Sequence, residues 1–491
     1  MDWVTLKAGE WLPDLPDLDN AGATLVKNCY PAAGSYRPIK SLEAYTEATG
    51  TSDSDYVRGA LSMKDGTSTA RVYAGDAGKL YSLSAVSWTD ISVAGAYSGT
   101  ATNELWRFAL YGPSLVVATN YNNVPQKIVP GSAAVALGGN PPRARYVAQV
   151  RDWIVFANTN DGSPRPNRVQ WSGYNNAEYW GRSVALQADY QDLYEGGHIS
   201  GLAESNGMGV VISESAVHLM TYQGPPVTWK FDRVANALGT KVPGSVISHS
   251  DRVWWFGESD IWEFSGQGMR GIATERVAKY FFDDFDAAYK HRVSATVDPI
   301  NSLVIWAYPG QNHSGGVPNR LLIYSWNTNR FTYAELDTEC LMQFLTPGYT
   351  IESLDTLSSS IETLPASLDS DFYKGGQLSL AAFEPNKVLS AFAGTPLTAV
   401  IDTAELRAQP GRFNEATNTR PLHEGGVARV SLGIRNEQSD SITWKGPKSP
   451  NNSGECNIRA NGRFMRARLE LSGDWSHAIG VDVYLRSGNK R

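Results

Sequence analysis

The sequence predicts an all-β protein: a β-propeller of about six blades, preceded by an extended N-terminal arm and followed by a further antiparallel β module. Three observations lead there. A tryptophan-rich hairpin pattern at residues 250–266 recurs with variation along the chain, strict two-residue alternation takes over after residue 346, and helix-compatible stretches are scarce.

In the hairpin, Val253, Trp254, Trp255 and Phe256 form an aromatic and β-branched run suited to a pleated surface. A short polar turn follows, and Ile261 and Phe264 return apolar side chains. Two strands this rich in tryptophan need cover on both sides. Related hairpins occupy residues 70–83, 207–222 and 302–324, with weaker copies at 114–129 and 152–171. A strand often precedes the hairpin, as at 57–63, 199–204, 245–249 and 293–297, and another often follows, as at 87–90, 228–231 and 330–333. Four strands per unit, repeated about every 40 to 55 residues, is the pattern of propeller blades. Six starts are visible, near Val57, Leu105, Ala144, Ile199, Val242 and Val293.

Taken in order, residues 1–56 form the arm. Pro13 and Pro16 among the spaced Trp11, Leu12, Leu15 and Leu18 exclude a regular helix and favour an extended segment that lies on a surface, its own or a neighbour's. The propeller spans residues 57–345, with rim loops at 157–168 and 309–319 and a short inter-blade helix within 275–288. Residues 346–491 are the second module, with strands available to close the ring. There, Ala428, Val430, Leu432 and Ile434 alternate with polar residues, as do Met465, Ala467, Leu469 and Leu471, and then Ile479, Val481, Val483 and Leu485. The opposite face carries Arg429, Arg435, Arg466 and Arg468, so the reading is a half-buried sheet with a basic outer face. Residues 436–457 read as a long exposed loop.

The 491 residues carry 43 Lys and Arg against 50 Asp and Glu, a net charge of −7, which argues against a protein that coats nucleic acid or an anionic membrane. The balance is uneven: residues 1–56 hold four basic and nine acidic side chains, whereas residues 456–491 hold seven basic and three acidic. This asymmetry suggests a docking pair. Cys29, Cys340 and Cys456, odd in number and without a Cys-x-x-Cys, read as reduced thiols made in a reducing compartment. The N-terminus lacks the basic start and apolar core of a signal peptide, and no apolar run reaches bilayer length, so direct membrane insertion is not expected.

No catalytic motif is present: there is no Gly-x-Ser-x-Gly elbow, no His-Glu-x-x-His and no phosphate loop. Gly75 to Lys79 superficially resembles a phosphate loop, but it falls in a hairpin turn. The seven histidines lack ligand spacing, and Asp283, Asp284 and Asp286 lack the interspersed ligands of a calcium loop. Asp251, Glu258 and Asp260 are the carboxylates a glycosidase would draw on, but they lie at hairpin ends where acids serve turns. The expectation is a non-enzyme without cofactor or metal.

The arm, Glu10-Trp11-Leu12-Pro13-Asp14-Leu15-Pro16-Asp17-Leu18-Asp19-Asn20-Ala21-Gly22, continues through Lys27-Asn28-Cys29-Tyr30-Pro31 to Tyr36-Arg37-Pro38. Together with the weakly repeating β-rich centre and the closing segment from Gly462-Arg463-Phe464 to Gly473-Asp474-Trp475, it resembles structural proteins of tailed bacteriophages. The nearest resemblance is to the tail nozzle family of short-tailed phages, which includes packaged-DNA stabilisation proteins. That resemblance implies a virion protein, made in the bacterial cytoplasm and assembled as a hexameric ring below the head–tail adaptor. It further implies contacts with tail fibre, spike or needle proteins and the non-specific passage of double-stranded DNA. The competing class is a receptor-binding or glycan-cleaving tail protein built on a propeller. On the nozzle reading, Trp11, Leu12, Leu15 and Leu18 dock on an adjoining subunit or on the ring above, and basic surfaces such as that of Arg429, Arg435, Arg466 and Arg468 attract the arm's carboxylates. Deleting residues 1–22 would then leave folding intact. Far-ultraviolet circular dichroism should show strand with little helix, and a helix content near one half would contradict the fold class.

Overall fold

The computed structural model describes residues 2–17, 20–52, 55–67, 69–93, 97, 101–266, 268–346, 358, 360–363, 378–408 and 412–487. The fold is all-β. Among the described residues the α-helical structure is the seven-residue segment Ala278–Asp284, which falls between two four-stranded units as the sequence predicts.

Six separate four-stranded antiparallel sheets are present, and a seventh four-stranded unit forms part of a larger sheet. The first sheet is Gly59–Lys64, Ala70–Gly75, Leu80–Ser84 and Ser87–Asp90, and the second begins at Arg107–Tyr111. The third begins at Arg143–Val150, the fourth at Ile199–Ser205 and the fifth at Ile247–His249. Ser294–Asp298 opens the sixth unit, which ends with Arg330–Glu335. The seventh is assembled from Cys340–Leu345, Leu378–Phe383 and Val388–Ala391, and its fourth strand is Glu43–Ala48 from near the N-terminus. The count of about six is therefore one short. The missed unit has a single local hairpin, Leu378–Phe383 with Val388–Ala391, and its fourth strand is some 290 residues away in sequence, a pairing that leaves no periodic trace.

The first strands of successive sheets touch one another in order, and the seventh returns to the first, so the contacts close into a cycle. The smaller hydrophobic clusters lie mainly between neighbouring sheets, and the largest runs on from the fifth and sixth units through the arm into the long C-terminal strands. Trp254, Phe256, Val304 and Trp306 fill the space between the fifth and sixth. Val253, Trp255, Val210 and Ile212 fill the space between the fourth and fifth. Alternation along one strand thus sends Trp254 to one neighbour and Trp255 to the other. Both are fully buried. Each such tryptophan contributes roughly 4–6 kcal/mol of transfer free energy. Burial falls off on the outermost strands: Ser87–Asp90 and Gly268–Gly271 are largely exposed.

The larger, fourteen-stranded sheet continues from Arg330–Glu335 through Leu25–Lys27 and Ala399–Asp402 to two long strands, Phe464–Ser487 and Asn414–Arg435, and ends at Thr443–Lys448. The two expected strands near 465–471 and 479–485 are one 24-residue strand. Its pairing with Asn414–Arg435 shifts register four times. Gly425, Gly426 and Gly473 take positive φ at the shifts, a backbone that a β-carbon would strain. The shift explains one misplaced side chain: Ala478 is buried and Ile479, expected inward, is 44% exposed. Two loop expectations are also corrected. Residues 157–168 mostly belong to the strands Trp153–Asn160 and Pro164–Trp171, and Thr443–Lys448 forms an edge strand inside 436–457. The loop at 309–319 is as expected.

The arm stitches the two regions together. Asp2–Lys7 pairs with the strand Phe464–Ser487, and Leu25–Lys27 bridges Arg330–Glu335 and Ala399–Asp402. Trp11 is buried against Tyr280 and Tyr333, with ring centroids 5.0 and 5.1 Å away. The Asp14 carboxylate accepts the backbone N–H groups of Lys279 and Tyr280, each at 2.8 Å, and so caps a helix that has no cap of its own. Leu12 is half-buried, Leu15 is exposed, and Leu18 lies outside the described residues. These contacts weigh against the expectation that residues 1–22 are dispensable for folding. Trp11→Ala should lower stability by about 3–5 kcal/mol, measured by chemical denaturation, and deletion of residues 1–22 should lower the thermal midpoint.

Candidate functional site

Two groups of charged residues stand out, one at the arm and one near the axis of the cycle. At the arm, Arg435 and Arg466 both point at Glu405 and at Asp17. Arg435 Nη2 is 2.7 Å from Glu405 Oε2 and 3.3 Å from Asp17 Oδ2. Arg466 Nη2 is 2.8 Å from Asp17 Oδ2 and 3.5 Å from Glu405 Oε1, and its Nη1 donates to Thr24 Oγ1 at 3.0 Å. Arg468 makes a two-point contact with Asp402, each bond 2.7 Å, and lies 4.2 Å from the centre of the Trp444 ring. The Glu405 bond holds the Arg435 guanidinium charged, as Asp402 does for Arg468.

The expected match of arm carboxylate to arginine is thus present, but it is made within one chain. Arg435 and Arg466 are buried, contrary to a basic outer face, because Asp17 and Glu405 cover them. Arg429 is exposed, opposite Glu470 in the register. Of the eight residues expected at an assembly surface, Leu15 and Arg429 are the exposed ones among those described.

The second group lines a cavity of about 250 Å³ bounded by the first strands of the first, second, sixth and seventh units and by residues 244–247. It brings together Tyr56, Arg58, Arg107, His291, Arg292 and Glu339. Each charged residue stands at or just before the first strand of its unit: Arg58 before Gly59, Arg107 at the strand's first position, Arg292 before Ser294 and Glu339 before Cys340. Sequence reasoning missed this set. The four stand at slightly different offsets from their strand starts, so no fixed repeat position marked them in the sequence.

The charges are unevenly matched. Arg58 is fully used: its Nε and Nη2 donate to Asp55 Oδ1 at 3.1 and 2.8 Å, and its Nη1 donates to Ala101 O at 2.6 Å. Glu339 accepts from Lys387 Nζ at 2.5 Å and from the backbone N–H of Val57 at 3.2 Å. Arg292 lies over the Tyr56 ring, its guanidinium carbon 3.8 Å from the ring centre, and its Nη2 comes only within 3.8 Å of Glu339. Arg107 donates one hydrogen bond, from Nη2 to Pro243 O at 3.1 Å. Burial pulls both Arg107 and Arg292 below the ordinary arginine value. It also lowers His291, helped by Arg292 and Arg58, and raises Glu339. The Cys340 thiol, pushed up to about 12 by burial, stays protonated between Arg107 and Arg292.

Asp251 is exposed, and most of the other candidates are committed elsewhere. Asp260 Oδ1 accepts three backbone N–H groups, from Ile261, Ala273 and Thr274, and Glu258 pairs with Lys241. Asp284 accepts from Tyr308 and Gln311, and Asp286 contacts His313. Asp76 ties the Gly75 to Lys79 turn by accepting from Gly78 and Lys79, as turn chemistry requires. The three cysteines are free and buried. Among the described residues no helix is long and apolar enough to cross a membrane.

No family model and no curated protein matches the chain. Solved structures resemble it loosely. The extracellular domain of a putative one-component system from B. thetaiotaomicron is 10% identical with a TM-score of 0.40, over 83% of this chain and 47% of that one. PorZ, a surface component of the type-IX secretion system of Porphyromonas gingivalis, is 9% identical with a TM-score of 0.34, over 82% of this chain and 46% of that one. A functionally unknown protein from Desulfotomaculum acetoxidans is 12% identical with a TM-score of 0.34, over 60% and 89%. The chain spans about half the length of the first two, and likenesses this loose assign no function.

Glu405→Ala would leave two buried guanidinium groups with only the partly exposed Asp17. A loss of about 3–5 kcal/mol in denaturant unfolding is expected, whereas Arg429→Ala should change stability by less than about 0.5 kcal/mol.

Proposed function

We propose that the seven four-stranded units are the blades of a β-propeller closed by Glu43–Ala48, and that this body is a non-catalytic structural subunit of a bacteriophage tail. In this reading it is a nozzle-type subunit that forms a ring below the head–tail adaptor, with fibre, spike or needle proteins attached and DNA passing through. The observation that carries the proposal is the stitching of one chain into one body. N-terminal strands complete the seventh sheet, cap the only described α-helix and pair with the long C-terminal strand, so neither region is closed without the other. A scaffold that must keep its shape around a moving polymer benefits from such closure.

Two further features support a structural role over a glycan-cleaving one. Asp260, the buried carboxylate of the hairpin group, is spent on backbone N–H groups, and Glu258 on a lysine. A net charge of −7 avoids the tight phosphate contacts that would hinder sliding DNA. Negative-stain electron microscopy of the purified full chain should show six-fold rings with a central hole. Particles that remain single at micromolar concentration would count against it. Hydrolysis of host polysaccharide that disappears in Asp251→Asn or Glu258→Gln would move the assignment to the glycan-cleaving alternative.

A further inference from the structure

The cavity near the axis holds more cationic charge than its own carboxylates balance. Arg58 is matched by Asp55 and Lys387 by Glu339, which leaves Arg107 and Arg292 in excess. Neither is a solvated surface group: the Arg292 side chain is 11% exposed. Its Nε is buried without a hydrogen-bond partner. A buried cation with an unmet donor costs several kcal/mol unless something supplies the missing acceptor.

We propose that this cavity is a binding site for a small oxyanion, a phosphate or a compact carboxylate, held between Arg107 and Arg292. The guanidinium fork matches two oxygens of either group, which a lysine ammonium does not. Contact with the Tyr56 ring holds the Arg292 guanidinium in place, so little side-chain freedom is lost when the anion enters. Arg107 is bound at one nitrogen, to Pro243 O, and its other donors face no carboxylate among the described residues. About 250 Å³ is several times the roughly 30 Å³ share of one water, enough for a phosphate with part of its hydration. His291 lines the same cavity and gains a favourable partner when the anion is present. Burial holds both Arg107 and Arg292 below the ordinary arginine value, a cost that an anion beside them offsets.

The cavity is built by the first, second, sixth and seventh units, so an anion there would fasten the cycle across the point where it closes. The anion site concerns the isolated chain and does not depend on ring assembly or on any role in a phage. Its test is thermal unfolding of the purified full chain with inorganic phosphate or malonate, against chloride at matched ionic strength and pH. A saturable rise in Tm of roughly 1 °C or more is expected with at least one of the two oxyanions. Phosphate alone, or malonate alone, identifies which oxygen geometry the site prefers. Arg107→Met and Arg292→Met should each weaken calorimetric affinity for that anion roughly tenfold to a hundredfold. Without anion, Arg107→Met should fold at least as well as the parent, because it removes an uncompensated cation. Arg429→Met, on the other module, should leave the response unchanged. Arg292→Lys, which keeps the charge but loses the fork, serves if a methionine variant does not fold, and it too should bind more weakly. No saturable response to either oxyanion overturns the proposal, as does a response that survives in the Arg107 and Arg292 variants.

Discussion

The structure depends on one constraint: each four-stranded sheet is covered on both faces by its neighbours. A single sheet cannot satisfy that requirement alone, and a row of sheets would leave its first and last members bare. Closing the row into a cycle removes the bare faces. The consequence is visible in the composition of the strands. Leu303 to Tyr308 is buried at every position, with Leu303, Ile305 and Ala307 turned to the seventh unit and Val304, Trp306 and Tyr308 to the fifth. Such runs carry no polar alternation because neither face is wet.

The same constraint explains why the arm is woven into the fold. The seventh unit lacks a fourth strand until residues 43–48 return to it, and the gap between the sixth unit and the long C-terminal strands is bridged by Leu25–Lys27. Trp11 fills a pocket between the helix and the sixth unit, Asp14 caps that helix, and Asp17 shares the buried Arg435 and Arg466 with Glu405. Closure of an ordered chain of this length brings distant segments together at a modest cost in loop entropy, since that cost grows only with the logarithm of separation. Many backbone bonds and one large buried ring offset it.

Where the cycle closes, charge collects. The residues leading into the first strands converge on the axis, and those at the closing junction are Arg58, Arg292 and Glu339, with Arg107 beside them. Glu339 joins two partners across the junction: Lys387, within the seventh unit, and the backbone of Val57, at the start of the first. The acidic residues at the hairpin turns, such as Asp76 and Asp260, are spent on backbone N–H groups. The axial group differs in leaving two guanidinium groups short of acceptors.

What the sequence determined by itself was everything that short-range physics controls. The 250–266 hairpin, the strands before and after it, the inter-blade helix and the inward Ala428, Val430 and Leu432 all follow from periodicity and turn chemistry within a few residues. The acidic arm and the arginines it meets were also legible, because charge excess survives without coordinates. Only tertiary structure decided the rest. It supplied the seventh unit, whose strands come from opposite ends of the chain, and the bulge that turned Ile479 outward by one residue of register. It placed Asp17 against Arg435 and Arg466 of the same chain, where charge alone could not choose between self and neighbour. It also gathered Arg58, Arg107, Arg292 and Glu339 around one cavity. Those four lie far apart in sequence, and what joins them is the closing of the cycle, a long-range event that local pattern does not encode.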